Sequence, residues 1–496
     1  MTAPPDAETR ALARGGGVSL LGSATSAVMG FVLTVVLARL LGDSGSGVVL
    51  QAIAVFTIVL SFARAGLDSG AVWMFPRLVS ADPSRLRGTL LWMLAVTAAA
   101  GGVCALGVEL AAGFLDPTVA DAVRAAGWFL PAGALLLVAL AATRGLGGVV
   151  PYSVVGSIAL PAARPLFVWI AVALGASLAM VTLAWALPLP LALVAAIAVL
   201  RVQVLRHEQG VRGPWRVDKP VRRELLGYAW PRTISAGLEQ SIIWLDVLIV
   251  GVIAGTAAAG VYGGASRFVA AGLIIDSALR IVVSTRFSAL LHEGRVAEVQ
   301  SLYRTAATWL VLFGAPIYLI LGVFASVVLG LLGPGFEEGS TALAILCGGA
   351  ILTFAAGNIH SVLLMSGRSG WGAFNKAVVL ALNIVGNLLL VPVLGIAGAA
   401  LVWSASMLVD ALLAAIEVRV FLGIRAGWGA TAYALLVPLA SVGLPALAAR
   451  LVLGETLLGL LVGTALGVIL FLTWCALDRR RLNIHALVAF AQRKQN

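Results

Sequence analysis

Six basic side chains interrupt long apolar runs of this sequence: Arg64, Arg164, Arg232, Arg267, Arg280 and Lys376. A charge in a bilayer core costs about 2.5–3.5 kcal/mol on insertion scales, so such residues mark pathways or binding sites by default. Arginine suits the capture of an oxyanion there. Its guanidinium stays charged in a low dielectric, and its planar fork grips phosphate or carboxylate oxygens two at a time. Arg164 stands between Pro161 and Pro165, which break the helical hydrogen-bond ladder and open a kink. Arg267 lies about 15 Å into its run at the helical rise per residue, too deep to reach either interface easily. It has no acid three or four residues away, whereas Arg64 has Asp68 and Arg280 has Asp276 at that spacing, so local ion pairs compete with ligand binding at those two. Arg232 is about two turns into its run. Arg39 ends the first run, where it gates an exit or snorkels to the interface. The acids Glu239 and Asp246 are seven residues apart on one helix, and Asp410 lies near the middle of its run. A membrane carboxylate can carry a proton, help to bind sodium, or pair with the arginines. Lys376, Asn383 and Asn387 share a helix face, suited to interhelical hydrogen bonds or to sugar recognition.

Little other chemistry is encoded. The three cysteines, Cys104, Cys347 and Cys475, all fall in apolar runs, and the four histidines form no H-x-x-x-H pair. No phosphate loop, nucleophile elbow or metal-ligand spacing occurs. No cofactor is expected, and the missing ATP site leaves a proton or sodium gradient, the membrane potential or the substrate gradient to drive any transport.

The elements that position these residues follow from composition. Of 496 residues, 61% are hydrophobic and 11% charged, with a mean hydropathy of +1.04. Soluble domains carry about 45–50% apolar and about 25% charged residues. This excludes a soluble enzyme, a nucleic-acid binder and a secreted disulfide scaffold, and leaves an all-α integral membrane protein. Abundant glycine, 56 residues, fits close helix packing in lipid. Fourteen segments reach the length of about 20 apolar residues that a crossing needs. Met1–Arg14 is polar and leads into an apolar run too long for a signal peptide, so that run reads as the first membrane helix. With the N-terminus inside, 24 basic residues fall on inner segments and three, Arg39, Arg124 and Arg450, on outer ends. The bias places both termini in the cytoplasm and makes most of the net charge of +11 a topology signal. The longest charged linker, around Trp215, is expected to lie on anionic lipid or to dock a partner enzyme.

That linker separates two similar halves. Gly42 to Val48 and Gly255 to Val261 both read Gly-x-x-x-x-Gly-Val, and each is followed by an oppositely charged i, i+4 pair, Arg64/Asp68 and Asp276/Arg280, at nearly the same distance. Both halves begin inside, so the pattern predicts parallel six-helix repeats related by an axis along the membrane normal.

Several stretches resemble the Wzx-type polysaccharide flippases, within the superfamily that includes drug/cation antiporters and the lipid II flippase. They are ARLLGDSGSGVV, FARAGLDSGAVW, the stretch from Asp246 through Gly251 to Tyr262, and LLLVPVLGIAGAALVWSAS with Pro392, Gly395 and Gly398. The resemblance implies two six-helix lobes in a V around a central cavity, plus two extra C-terminal helices. On that pattern residues 1–205 form the first lobe, 206–224 the linker, 225–424 the second lobe, 425–477 the extra pair and 478–496 a basic tail. It further implies alternating access that moves a polyprenyl-pyrophosphate-linked glycan from the inner to the outer leaflet of a bacterial cytoplasmic membrane. Arg267, Arg164, Arg64, Arg39 and Arg232 are then the candidate substrate residues, and Glu239, Asp246, Asp410 and Asp68 the candidate ion-coupling acids. The expected partners are the lipid-linked glycan, membrane lipids and glycosyltransferases or a polymerase, acting on a monomer. The alternatives are a drug/cation antiporter of the same superfamily, which favours a cavity of acids and aromatics, and a lipid II flippase. A membrane glycosyltransferase, polymerase or ligase needs large outer loops, which this sequence lacks.

Overall fold

A computed structural model describes residues 5–208, 214–425, 428–479 and 481–482. Helices account for nearly all of them, and no strand occurs among the described residues. The chain divides into two compact units, Met1–Val252 and Ile253–Asn496.

In the first unit, the helix Pro5–Ala63 turns sharply at Gly42, where φ is 71° and ψ −171°. Only glycine enters that region without strain. A second break at Ala65 and Gly66, both with positive φ, separates it from Leu67–Ala81. Leu130–Gly145 is the hub and packs against Leu67–Ala81, Leu86–Ala111 and Pro188–Glu208. Its buried residues Leu136, Val138, Ala139 and Leu140 occupy more than one face, as a helix surrounded by others requires. Lys219–Ala254 packs along this unit. Tyr228 stacks on Trp73 at 4.6 Å, and Gly237 makes room for the Phe62 ring. The repeat in the sequence and the contacts in the structure therefore cut the chain at different places, before and after this helix.

The second unit opens on Gly255, whose φ of 93° and ψ of 169° repeat the backbone of Gly42. The matched glycines are thus matched helix breaks. Val296–Val323 packs on Ser340–Ala355, which packs in turn on Ser369–Leu422. The last helix turns at Gly395, with φ 56° and ψ −138°. Leu457–Leu477 buries Gly459, Gly463 and Gly467. A Cβ at Gly463 would meet Ala446 and Ala449, and one at Gly467 would meet Val442. This stripe lets two backbones approach where lipid supplies no hydrophobic drive. Arg450 reaches back to donate to the Val323 carbonyl at 2.9 Å, near the negative end of its helix.

Ten described helices are long and apolar enough to cross a membrane, or eleven if the bent pair Pro117–Gly127 and Leu130–Gly145 is one crossing. The fourteen expected from the sequence are not reached on that criterion. Part of the difference is in two long helices. Gly17–Ala81 has 65 residues, roughly three times the length that a bilayer of about 30 Å needs at about 1.5 Å per residue. It and Gly370–Leu422 each contain a glycine reversal. The rest is in Thr256–Gly272, which at 17 residues is too short to count alone, and Ile274–His292, whose Asp276, Arg280 and Arg286 keep it off the apolar count.

Candidate functional site

Arg164 stands in the first turns of Leu160–Ala173, which continues a π-helical stretch, Ser153–Ala159. The widened turn accommodates Pro161, which has no N–H to donate and would crowd a regular helix. Across the helix interface the Arg164 guanidinium lies 4.1 Å from the ring centre of Trp185, a buried residue of Leu178–Ala186. Trp185 is held edge-on by Phe56 at 5.2 Å. Among the described residues no carboxylate pairs with Arg164, and its Nε is buried without a hydrogen-bond partner. The π face offers partial compensation for a cation and leaves the guanidinium fork available to an anion.

Arg64 is committed differently. Its Nη1 donates to Asp68 at 2.9 Å, and both side chains are about one-fifth exposed. The pair straddles the Ala65–Gly66 break, where a Cβ on Gly66 would collide with the Ala229 carbonyl of Lys219–Ala254. Arg39, Arg232 and Glu239 are exposed, whereas Asp246 is buried at 3%. Near the linker, Arg87 binds the buried Glu208 at 2.8 Å and lies over Trp215. Arg85 pairs with Asp218 at 3.3 Å. Burial makes Arg87–Glu208 the consequential contact, since a half-buried ion pair that loses one member leaves the other uncompensated.

In the second unit Arg267 is half-buried on Thr256–Gly272. Arg280 pairs with Asp276 at 3.0 Å, as the spacing predicts. Asp410 is 4% exposed and does not pair with Arg267, one of the arginines weighed for it from the sequence. Lys376 Nζ donates to its Oδ2 at 2.6 Å, and His360 Nε2 lies 2.8 Å from the same oxygen. The Lys376 bond joins the two arms of Ser369–Leu422, in keeping with an interhelical role. Asn375 adds a second tie to Glu417 at 2.9 Å. Asn387 donates to Asn383 within one arm.

Sequence reasoning missed His360, Glu417, Glu208 and Trp185. Each meets its partner across a helix interface, and only the polar character of Glu208 and Glu417 within helical runs was there to be read.

Residues 36–338 match the Polysaccharide biosynthesis protein family. The chain is 25% identical over 204 residues to a probable low-salt glycan biosynthesis flippase of Haloferax volcanii, a match that spans 41% of this chain and 43% of that protein. The chain thus covers under half of that relative's length. In fold it resembles the lipid II flippase MurJ in an inward closed conformation, at a TM-score of 0.69 and 13% identity over 93% of this chain and 98% of the other. It also resembles an inward-facing multidrug resistance MATE transporter, at a TM-score of 0.66 and 15% identity over 80% and 94%. A MATE transporter of Vibrio cholerae follows at 0.54 and 16%, over 83% and 98%. Identities this low speak to fold alone, and the fold is that of multi-span membrane transporters. The match to the family covers more than half of the chain and includes the helices that carry Arg64, Arg164 and Arg267, so this protein belongs to the polysaccharide biosynthesis protein family.

Proposed function

We propose that this protein is not an enzyme but a flippase that carries a polyprenyl-pyrophosphate-linked glycan from the cytoplasmic to the outer leaflet by alternating access. The observation that carries this reading is Arg164, a membrane-embedded cation over an aromatic face with no acid paired to it among the described residues. Such a group suits a diphosphate, whose oxygens accept from both arms of the guanidinium. Arg267, half-buried on its own helix, is the second candidate contact. Arg64 and Asp68 act as a neutral pair beside the Gly66 break, while Arg39 and Arg232 serve entry or release. Family membership supports a glycan substrate, and the Haloferax relative is itself described as a probable glycan biosynthesis flippase.

The protein works as a monomer in a bacterial cytoplasmic membrane with both termini inside, beside the glycosyltransferases or polymerase that make and use the glycan. Glu239, Asp246, Asp68 and Asp410 are the candidates for coupling to a proton or sodium gradient. The antiporter alternative asks for an acid facing a cationic drug, whereas the acid at Asp410 is already neutralised by Lys376.

The test is transport of a short polyprenyl-pyrophosphate oligosaccharide in reconstituted vesicles. Arg164→Ala should lose transport at least about tenfold, the worth of one charge-assisted contact, and remain folded in detergent. Arg164→Lys should recover part of it. Full transport by Arg164→Ala, or transport of cationic drugs with none of the glycan lipid, would overturn the reading.

A further inference from the structure

A polar cluster in the second unit is left unused by substrate binding through the arginines. His360 lies on the short helix Ile359–Met365. A break at Ala356–Asn358 separates it from Ser340–Ala355, with Gly357 at a φ of 64°. The Tyr303 hydroxyl donates to the Ala356 carbonyl at 2.7 Å and pins the near side of the break. Beyond it, His360 and Lys376 share the Oδ2 of Asp410, at 2.8 and 2.6 Å. Asp410 Oδ1 is buried with no donor.

The charged and titratable neighbours of His360 can be named helix by helix. Ser369–Leu422 contributes Lys376, Asp410 and, bound to Asn375, Glu417. Ile274–His292 contributes Asp276, within electrostatic reach of His360 and paired with Arg280. Val296–Val323 contributes Tyr303, whose hydroxyl is committed to Ala356, and next to it Arg304, whose Nε is buried without a hydrogen-bond partner. With a neutral imidazole, Lys376 and Asp410 cancel, as do Asp276 and Arg280. The cluster can take up one proton without losing an ion pair. A metal cation is disfavoured, because the Lys376 ammonium bound to the same carboxylate would repel it.

Imidazole is the side chain that ordinarily changes charge between about pH 5 and pH 8. His360 and Lys376 are the exposed ends of the cluster, with side chains 30% and 31% exposed against 6% for Asp410. We infer that His360, with Asp410 and Lys376, forms a proton-binding site whose occupancy locks the Ile359–Met365 segment onto the Ser369–Leu422 arms. His360 Nε2 is buried without a hydrogen-bond partner, so a proton turns its 2.8 Å approach to Asp410 into an ion pair that the neutral ring does not make. The locked arrangement is therefore favoured at low pH and released as pH rises through the imidazole titration. For a transporter this is a way to read a proton gradient. That use rests on the flippase reading, but the site does not.

The test is hydrogen exchange on the full chain in lipid nanodiscs, corrected for intrinsic exchange rates, between about pH 8 and about pH 5.5. Amides of Ile359–Met365 should exchange about fivefold more slowly at the lower pH, the gain of one partly exposed ion pair. The change should vanish in His360→Gln and in Asp410→Asn. Should those variants fail to fold, histidine-labelled wild-type protein gives the same answer by nuclear magnetic resonance. The chain has four histidines, and substituting the other three in turn assigns the His360 signal, whose position should differ between the two pH values. Equal protection at both pH values in wild type, pH dependence retained by His360→Gln, or a His360 signal that stays flat would each overturn the inference. Absence of glycan transport with the exchange change intact would overturn the flippase reading instead.

Discussion

Arg164 and Trp185 form one unit at the scale of single residues. The indole stabilises the guanidinium by about 0.5–2 kcal/mol and fixes its plane. Trp185→Leu keeps an apolar side chain and removes that face, so it should raise the half-saturating concentration of the glycan lipid several-fold in vesicle transport, with Arg164 still present. The cavity it leaves lowers the melting temperature in either case, so an unchanged half-saturation is the result that would make Arg164 only structural. Arg267 has a parallel test. Arg267→Ala should abolish transport and leave a folded protein, and Arg267→Lys should rescue only partly because an ammonium lacks the planar fork. Transport assays run beside melting in detergent separate a substrate contact from an internal pairing, whose loss would destabilise the fold.

Glycine breaks set where the helices turn. Gly66 has a φ of 62° and no room for a Cβ beneath the Ala229 carbonyl. Gly66→Ala should cost about 1–3 kcal/mol from backbone strain and overpacking, seen as a lower melting temperature. Gly30 is helical with open space at its Cβ position, so Gly30→Ala should be neutral or slightly stabilising. Asp82 caps the turn before Leu86–Ala111, accepting from the Ser84 hydroxyl at 2.6 Å and the Ser84 backbone N–H at 3.2 Å. The hydroxyl above all holds its carboxyl below the ordinary carboxylate range, and this outweighs the opposing effect of desolvation. A depressed carboxylate stabilises the fold fully above its unfolded value and loses that contribution as pH falls through the folded one. Hydrogen exchange at residues 84–88 should therefore speed up on acidification in that window and be insensitive there in Asp82→Asn.

The basic residues govern topology at the scale of the whole molecule. Single cysteines placed at Arg216 and Arg479, in a background without the native three, should be shielded from an impermeant thiol reagent applied outside. Labelling of either from outside would overturn the orientation. Two of the three arginines expected outside have specific local roles: Arg124 pairs with Glu109 at 3.2 Å, and Arg450 caps a carbonyl.

What the sequence determined by itself was everything that acts along one helix or through composition. Apolar content dictated an all-helical membrane fold, because lipid tolerates only chains that satisfy their own backbone. The spacing of Arg64/Asp68 and Asp276/Arg280 led to the ion pairs found, since residues four apart share a helix face. The repeated glycines marked matched helix breaks at Gly42 and Gly255. Only the tertiary structure decided which faces meet. Asp410 takes Lys376, 34 residues away, and His360 rather than a mid-depth arginine. Arg87 finds Glu208, 121 residues along the chain, and Arg164 finds the face of Trp185. The helix Lys219–Ala254, placed in the second half by the repeat, packs on Phe62, Gly66 and Trp73 of the first unit. The physical reason is that a membrane helix is apolar on its lipid face and on its packed face alike. Leu461 and Ile469, exposed at 59% and 61%, would be hidden in a soluble protein. Without a polar side to contrast with a buried one, helical periodicity says little about which face turns inward.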